Sequence, residues 1–202
     1  MSDDDVPIPE NQDAATTGAP DIDVVIGHAG WRDALDEPAA LCRDAAKAAL
    51  DAAGFGPLAP RVELGVRLAD DAELRRLNHR YRGRDAPTNV LSFAASDATP
   101  GDLPALPEDG APLALGDIVL ALETVLDEAG VQGKPVADHV GHLVVHGVLH
   151  LVGYDHENDA DANVMEWLET AVLAGLGVAD PYAPTPAPPR PERGGAQSAG
   201  PS

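Results

Sequence analysis

Residues His146 to His156 read H-G-V-L-H-L-V-G-Y-D-H, and this stretch decides how the centre of the chain folds. His146 and His150 are four residues apart, so a helix projects both imidazoles from one face. The run from Val136 to Val152 is apolar enough to be a buried helix. Gly153 supplies the residue that most easily ends a helix in the left-handed conformation. The chain then turns back through Tyr154 and Asp155 and can present His156 to the same point. Three neutral imidazoles converging there leave a fourth position open, which is the arrangement of a catalytic zinc-type site rather than a closed structural one.

Working outward, His142 lies one turn before His146, and His139 lies on nearly the same face. Spacing alone would allow His142 and His146 to be the helical pair. Only the last turn is near the returning chain, however, so His146, His150 and His156 are the expected metal ligands. His142 is then a supporting or packing residue, and His139 a helix-surface residue. Burying three unmetallated imidazoles side by side would cost desolvation with little return. The common zinc-protease helix carries Glu directly after its first histidine as general base. Here that residue is Gly147, which argues against peptide hydrolysis. Gly147 gives close backbone approach, room for a bulky substrate, or packing against a strand.

Two more blocks accompany the histidines. Tyr81 to Phe93 reads Y-R-G-R-D-A-P-T-N-V-L-S-F, and Leu115 to Val119 reads L-G-D-I-V. Together the three resemble the YbeY family of bacterial endoribonucleases involved in ribosomal RNA maturation. The family patterns H-G-x-L-H-L-x-G-Y-D-H, Y-R-G-x-D-x-P-T-N-V-L-S-F and L-G-D-I-V agree here at every fixed position. The resemblance covers about residues 21 to 177. It implies a zincin-like fold with the metal in a cleft beside the sheet. It also implies a single-strand-specific, metal-dependent endoribonuclease acting on the 3′ end of small-subunit (16S) rRNA and in ribosome quality control. Its partners would be single-stranded rRNA and the small ribosomal subunit with its proteins.

Composition sets bounds on this reading. The chain has 202 residues and a formal net charge of −21. Residues 1 to 20 hold five acids and no base, and 180 to 202 are rich in Pro, Ala and Gly. Both are expected to be disordered tails, because neither buries enough apolar surface to offset its ordering entropy. The expected domain is 21 to 179, a length that supports one core. No basic start, leader-like apolar stretch or membrane span is present, so a cytoplasmic protein is expected. The single cysteine, Cys42, excludes an internal disulfide and suits a packing role in an Ala-rich helix. So acidic a chain argues against nucleic-acid binding driven by overall charge. Yet Arg75, Arg76, Arg80, Arg82 and Arg84 fall within ten residues, which suits a local phosphate-binding strip. Asp70, Asp71 and Glu73 offer the alternative of surface salt bridges to Arg75 and Arg76.

The elements follow from pattern. Ile22 to Ile26 reads as a strand. Asp36 with Pro38 starts a helix that runs to Gly54. Val62 to Leu68 alternates as a half-buried strand. Asp70 with Glu73 opens a helix whose stripe is Leu74, Leu77 and Tyr81. Asn89 to Phe93 and Leu115 to Leu120 are strands, separated by a long Pro-rich loop from Ala94 to Pro112. A helix follows to Ala129 and stops at Gly130; the histidine helix comes after Pro135. The last helix, Asp159 to Ala174, should turn Val164, Trp167, Leu168 and Val172 inward. The expected fold is an α+β single domain with a four-stranded mixed sheet and about five helices.

The chemistry implied is metal-assisted cleavage of RNA phosphodiesters, with zinc the expected ion although three imidazoles also suit nickel, copper or iron. His146 serves as ligand and catalytic group. Arg82 matches the arginine to which the family assigns importance, and would hold the scissile phosphate. An ion pair with Asp85 or Asp117 is its plainer role. Asp155 would orient a histidine ligand or cap the next helix. Thr88, Asn89 and Ser92 would bond RNA or close the turn. The alternative is a non-catalytic ribosome-assembly factor with a structural metal. A small metalloprotease ranks last.

Overall fold

A computed structural model describes residues 18–183. Most of the two expected tails lies outside them. The chain runs β1 (Asp21–Ile26), α1 (Gly30–Ala34), α2 (Pro38–Ala52), a 3₁₀ turn (Gly56–Arg61), β2 (Val62–Ala69), α3 (Asp71–Arg82), β3 (Val90–Ala94), β4 (Leu113–Ala121), α4 (Leu122–Gln132), α5 (Val136–Leu151) and α6 (Asp159–Gly175). The sheet order is β1-β2-β4-β3. β1, β2 and β4 are parallel, and β3 joins β4 antiparallel as an edge strand. This is the expected mixed α+β sheet, with two short helical segments, α1 and the 3₁₀ turn, added to the five expected helices. Both are too short to carry a periodicity that a sequence could display.

The core forms on one face of β2 and β4, and the other face is covered only towards their C-terminal ends. One face packs α5, α2 and α6 through Val66, Leu68, Ile118, Leu120, Val144, Val148 and Met165. The other face holds a smaller cluster of Leu74, Leu91, Val119 and Ala121 beneath α3. Burying an aliphatic side chain contributes about 1.5–3 kcal/mol. α5 lies at the centre, in contact with α2, α4, α6, β3 and β4. Gly147 is what lets it sit so close to the sheet. A Cβ there would fall 2.9 Å from Ile118 Cγ2 and 3.1 Å from Ser92 Oγ. Of its three readings, close packing on a strand is therefore the one observed.

Several boundaries differ from expectation. Glu37, not Asp36, precedes α2, and no side chain caps it. Pro38 at the first helical position, which needs no N–H donor, starts the helix instead. Gly130 stays helical, and Gly133 ends α4 with φ 63°. Asp70 caps α3 as expected, its Oδ1 accepting from Glu73 N at 2.8 Å. The Glu73 carboxylate, however, turns to Arg67 at 2.7 Å rather than back to the cap. Tyr81 is exposed and meets Phe93 edge-on. Val164 and Trp167 are also exposed; Met165, Leu168, Glu169, Val172 and Leu173 form the inner face of α6. Of the expected stripe Leu168 and Val172 do face inward; Val164 and Trp167 do not, and the inner face is centred one residue further on, because both are apolar without being inward. Cys42 is fully buried, and burial pushes its thiol up to about 12, as a packing role requires. Among the described residues, no helix is long and apolar enough to cross a membrane.

Candidate metal centre

The end of α5 assembles the site. From His139 to Leu151 every residue is buried except His142, His146 and His150. Their spacing of four keeps them on one stripe, the only one the neighbouring elements leave open. The helix then ends in a two-bond turn: Gly153 N donates to His150 O at 3.1 Å and Tyr154 N to Leu149 O at 3.0 Å. That pattern is a Schellman cap with glycine in the left-handed position, at φ 93°. A Cβ on Gly153 would also clash with Ala98 O, so the glycine admits the long loop against the helix end. The turn sends His156 back over the stripe. Its ring centroid stands 5.6 Å from that of His146 and 5.1 Å from that of His150.

Hydrogen bonding fixes which nitrogens face the site. Glu169 Oε1 lies 2.8 Å from His146 Nδ1. Its pKa is low, so the carboxylate can only accept, and Nδ1 carries the proton. The Tyr154 carbonyl lies 3.0 Å from His150 Nδ1 and assigns that ring the same tautomer. The same turn that ends the helix therefore orients the His150 ring. Both Nε2 atoms are left with lone pairs, and these face each other at 3.1 Å. Two lone pairs so placed repel unless a cation or proton lies between them. Burial, with His146 and His156 nearby, lowers His150 to about 4, so at neutral pH it stays unprotonated and available. The ligand atoms of His146, His150 and His156 all lie within 4.8 Å of one another. Tetrahedral coordination at roughly 2.0–2.1 Å sets nitrogens about 3.4 Å apart, so this donor set fits a divalent cation.

Glu169 escaped the sequence reading. Its side chain is wholly buried. Burial alone would push its carboxyl up. Hydrogen bonds from His142, His146 and Tyr182 outweigh burial and hold it down at about 2. A charged residue inside the stripe of Met165, Leu168 and Val172 was the available signal, hidden by the phase error in α6. His142 takes the supporting role expected of it, with Nε2 3.2 Å from Glu169 Oε2. His139 is not at the surface: it is 4 % exposed, with Nε2 2.8 Å from Glu128 Oε2. α4 covers that end of the helix, a tertiary contact invisible in the spacing.

The triad opens into a cleft of about 450 Å³ beside edge strand β3, lined also by Arg82, Thr88, Ser92 and Asp155. Arg82 is exposed at the last turn of α3 and has no ion pair among the described residues. Its expected alternative partner Asp85 is taken by Arg75, at 2.6 and 2.8 Å. Asp70 and Asp71 are likewise engaged elsewhere, Asp71 with Thr124. Asn89 is committed inside the protein: Nδ2 donates to Glu128 at 3.0 Å and Oδ1 accepts from Val90 N at 2.7 Å. It closes the turn, and it lines the cleft together with Thr88 and Ser92. Asp155 neither orients a histidine ring nor caps α6. Its Oδ1 accepts from His156 N at 2.7 Å, and Asn158 caps the helix.

A protein-family model described as Endoribonuclease YbeY matches residues 33–177. The chain belongs to the YbeY family. Relatives named Endoribonuclease YbeY agree over most of its length. The one from Rhodospirillum rubrum is 53 % identical over 158 residues, covering 76 % of each chain. That from Alkalilimnicola ehrlichii is 53 % identical over 171 residues, covering 84 % of this chain and 96 % of the relative. A solution structure of a Thermotoga maritima protein, 22 % identical, aligns over 81 % of this chain and 99 % of its own, with a TM-score of 0.45. In this YbeY-family chain the three histidines and Arg82 of the family patterns border one cleft.

Proposed function

We propose that the chain is a metal-dependent endoribonuclease that cleaves single-stranded RNA. The observation that carries this is the pair of facing Nε2 lone pairs in one cleft with an arginine that has no ion pair among the described residues. A divalent cation held by His146, His150 and His156 would lower the pKa of a water to about 7 and polarise a phosphoryl oxygen. Zinc suits three imidazoles and an open position. Arg82 would grip the phosphate with its planar fork and offset the charge that builds on the phosphoryl oxygens. The edge strand and the Thr88 and Ser92 hydroxyls form the wall along which a single strand can lie. A duplex would have to enter the same cleft with its partner strand attached, which favours unpaired RNA. Arg76, Arg80 and Arg84 are exposed and have no ion pair among the described residues, but of the five arginines only Arg82 lines the cleft.

The finer reading is that the substrate is small-subunit rRNA, cut near the 16S 3′ end in the cytoplasm during maturation and quality control. The family membership supports it. The zincin-like label, with the metal in a cleft beside the sheet, belongs to the same proposal, as do the boundaries 21–179 for the catalytic domain. One observation favours a second reading, a non-catalytic assembly factor with a structural metal: Gly147 occupies the position of a carboxylate base, and Ile118 fills the space beside it. The test is labelled single- and double-stranded RNA with purified protein, before and after metal stripping and re-addition, beside His146→Ala. Metal-dependent cleavage of the single strand, lost in the variant, is expected. A folded, metal-loaded sample that cuts nothing would leave only the assembly reading, tested next by binding to small ribosomal subunits.

A further inference from the structure

The chain after α6 does not leave the domain at once. Val178 N donates to Leu173 O at 2.9 Å, and Tyr182 N donates to Asp180 Oδ1 at 2.9 Å. Lys134 Nζ donates to Pro181 O at 3.0 Å. These bonds hold the segment against α6 and the α4–α5 corner. The Tyr182 ring stands edge-on to His142, centroids 5.8 Å apart. Its hydroxyl donates to Glu169 Oε2. Glu169 reaches its position through a terminal torsion with a broad energy well. One donor on Oε1 leaves the carboxylate plane free to turn. Donors on both oxygens fix it. On Oε2 the Tyr182 hydroxyl is the closer donor, with His142 Nε2 farther off at 3.2 Å, so the hydroxyl does most to hold that oxygen; the tyrosine keeps its proton because burial and the adjacent carboxylate raise its pKa.

We propose that Tyr182 is a positioning residue for the metal ligand His146, acting through Glu169. The inference rests on the reading of the histidine triad as a metal site. The C-terminal segment, expected from composition to be a free tail from residue 180, thereby becomes part of the centre. Groups that orient a ligand change metal affinity by about 10–100-fold.

The test is Co²⁺ titration of the full chain, followed by its visible absorption, for the wild type, Tyr182→Phe, Glu169→Gln and the double variant. Phe keeps the ring against His142 and removes only the hydroxyl. Tyr182→Phe should weaken Co²⁺ binding by about tenfold and shift the absorption band, with Glu169→Gln weakening it further. In the double variant the phenylalanine should add nothing to the loss that Glu169→Gln causes alone. Wild-type affinity and spectrum in Tyr182→Phe, or losses that add in full, would overturn the proposal while leaving the metal site intact. A wild-type chain that binds neither Co²⁺ nor Zn²⁺ would overturn the metal reading and this inference with it. Should Glu169→Gln fail to fold, imidazole ¹⁵N shifts of the Tyr182→Phe protein decide: loss of the Nδ1–H tautomer at His146 supports the role, and an unchanged tautomer refutes it.

Discussion

Helix α5 carries two half-buried histidine–carboxylate pairs that look alike and do different things. His139 bonds Glu128 at 2.8 Å, and His146 bonds Glu169 at 2.8 Å. The difference lies in the second ring nitrogen. His146 Nε2 opens into the cleft, opposite His150 Nε2. His139 Nδ1 is buried with no partner among the described residues. The His139 pair points its carboxylate on to Asn89, and so ties α4 to the turn before β3. A histidine becomes a ligand when a partner fixes one nitrogen and the fold leaves the other a shared, reachable point. Spacing supplies neither condition.

The sharpest way to break this comparison is to remove each histidine. His146→Ala should abolish metal retention and the metal-dependent rise in melting temperature, which at a thousandfold excess over Kd corresponds to about 4 kcal/mol. His139→Ala should keep both. Metal analysis with thermal melts checks this; loss of the metal in His139→Ala would erase the distinction.

Arg82→Ala separates chemistry from metal binding in the same cleft. Cleavage should fall about 10²–10³-fold, the loss of one charge-stabilising donor, with metal content unchanged. Single-turnover assays on a labelled RNA read this, and an unchanged rate would return Arg82 to the solvated surface.

Structural losses come next. Gly153→Ala forces a side chain into φ 93° and against Ala98 O, at roughly 1–3 kcal/mol for the conformation alone. It should also weaken metal binding, because Tyr154 O moves with the turn. His139→Ala should cost about 1–3 kcal/mol by removing a buried partner, with no change in metal affinity. Urea unfolding of the metal-free protein combined with Zn²⁺ titration separates the two.

Acid should act through His139, His150 and Glu169. Burial lowers His139 and brings His150 from 6.5 to about 4. Below pH 6.5 the unfolded chain binds more protons than the folded one, so metal-free stability falls as pH drops from about 6.5 towards 4. Glu169, with its carboxyl at about 2 against an ordinary 4.5, extends the loss from about pH 4.5 towards 2. Urea midpoints across this range should decline steadily; a flat profile would mean the imidazoles are charged in the fold. Smallest of all, Arg75→Ala breaks an exposed pair with Asp85 and should leave stability and metal binding unchanged in the same melts.

The triad itself was legible because a helix, a glycine stop and a return turn are local events. The i, i+4 spacing fixes two imidazoles, and Gly153 permits the left-handed cap that returns the third. The strands and the mixed sheet were legible for the same kind of reason, since β2 displays its alternation in Val62, Leu64, Val66 and Leu68. The sequence marks their edge, β3, as a strand, but its antiparallel direction is set by pairing with β4. What failed were features decided by neighbours distant in the chain. Whether Val164 or Met165 faces inward depends on where α5 lies against α6, and both are apolar.

The sequence by itself therefore determined which three histidines converge, the helix that carries two of them and the family whose pattern they share, because short-range geometry and residue chemistry suffice for these. Only the tertiary structure decided that Glu169, Glu128 and Tyr182 complete the two histidine systems. It also decided that Asp85 pairs with Arg75, leaving Arg82 for the cleft. Each of those partners lies about ten or more residues from the group it serves, and no backbone periodicity links them; packing of the elements alone brings their charges and protons together.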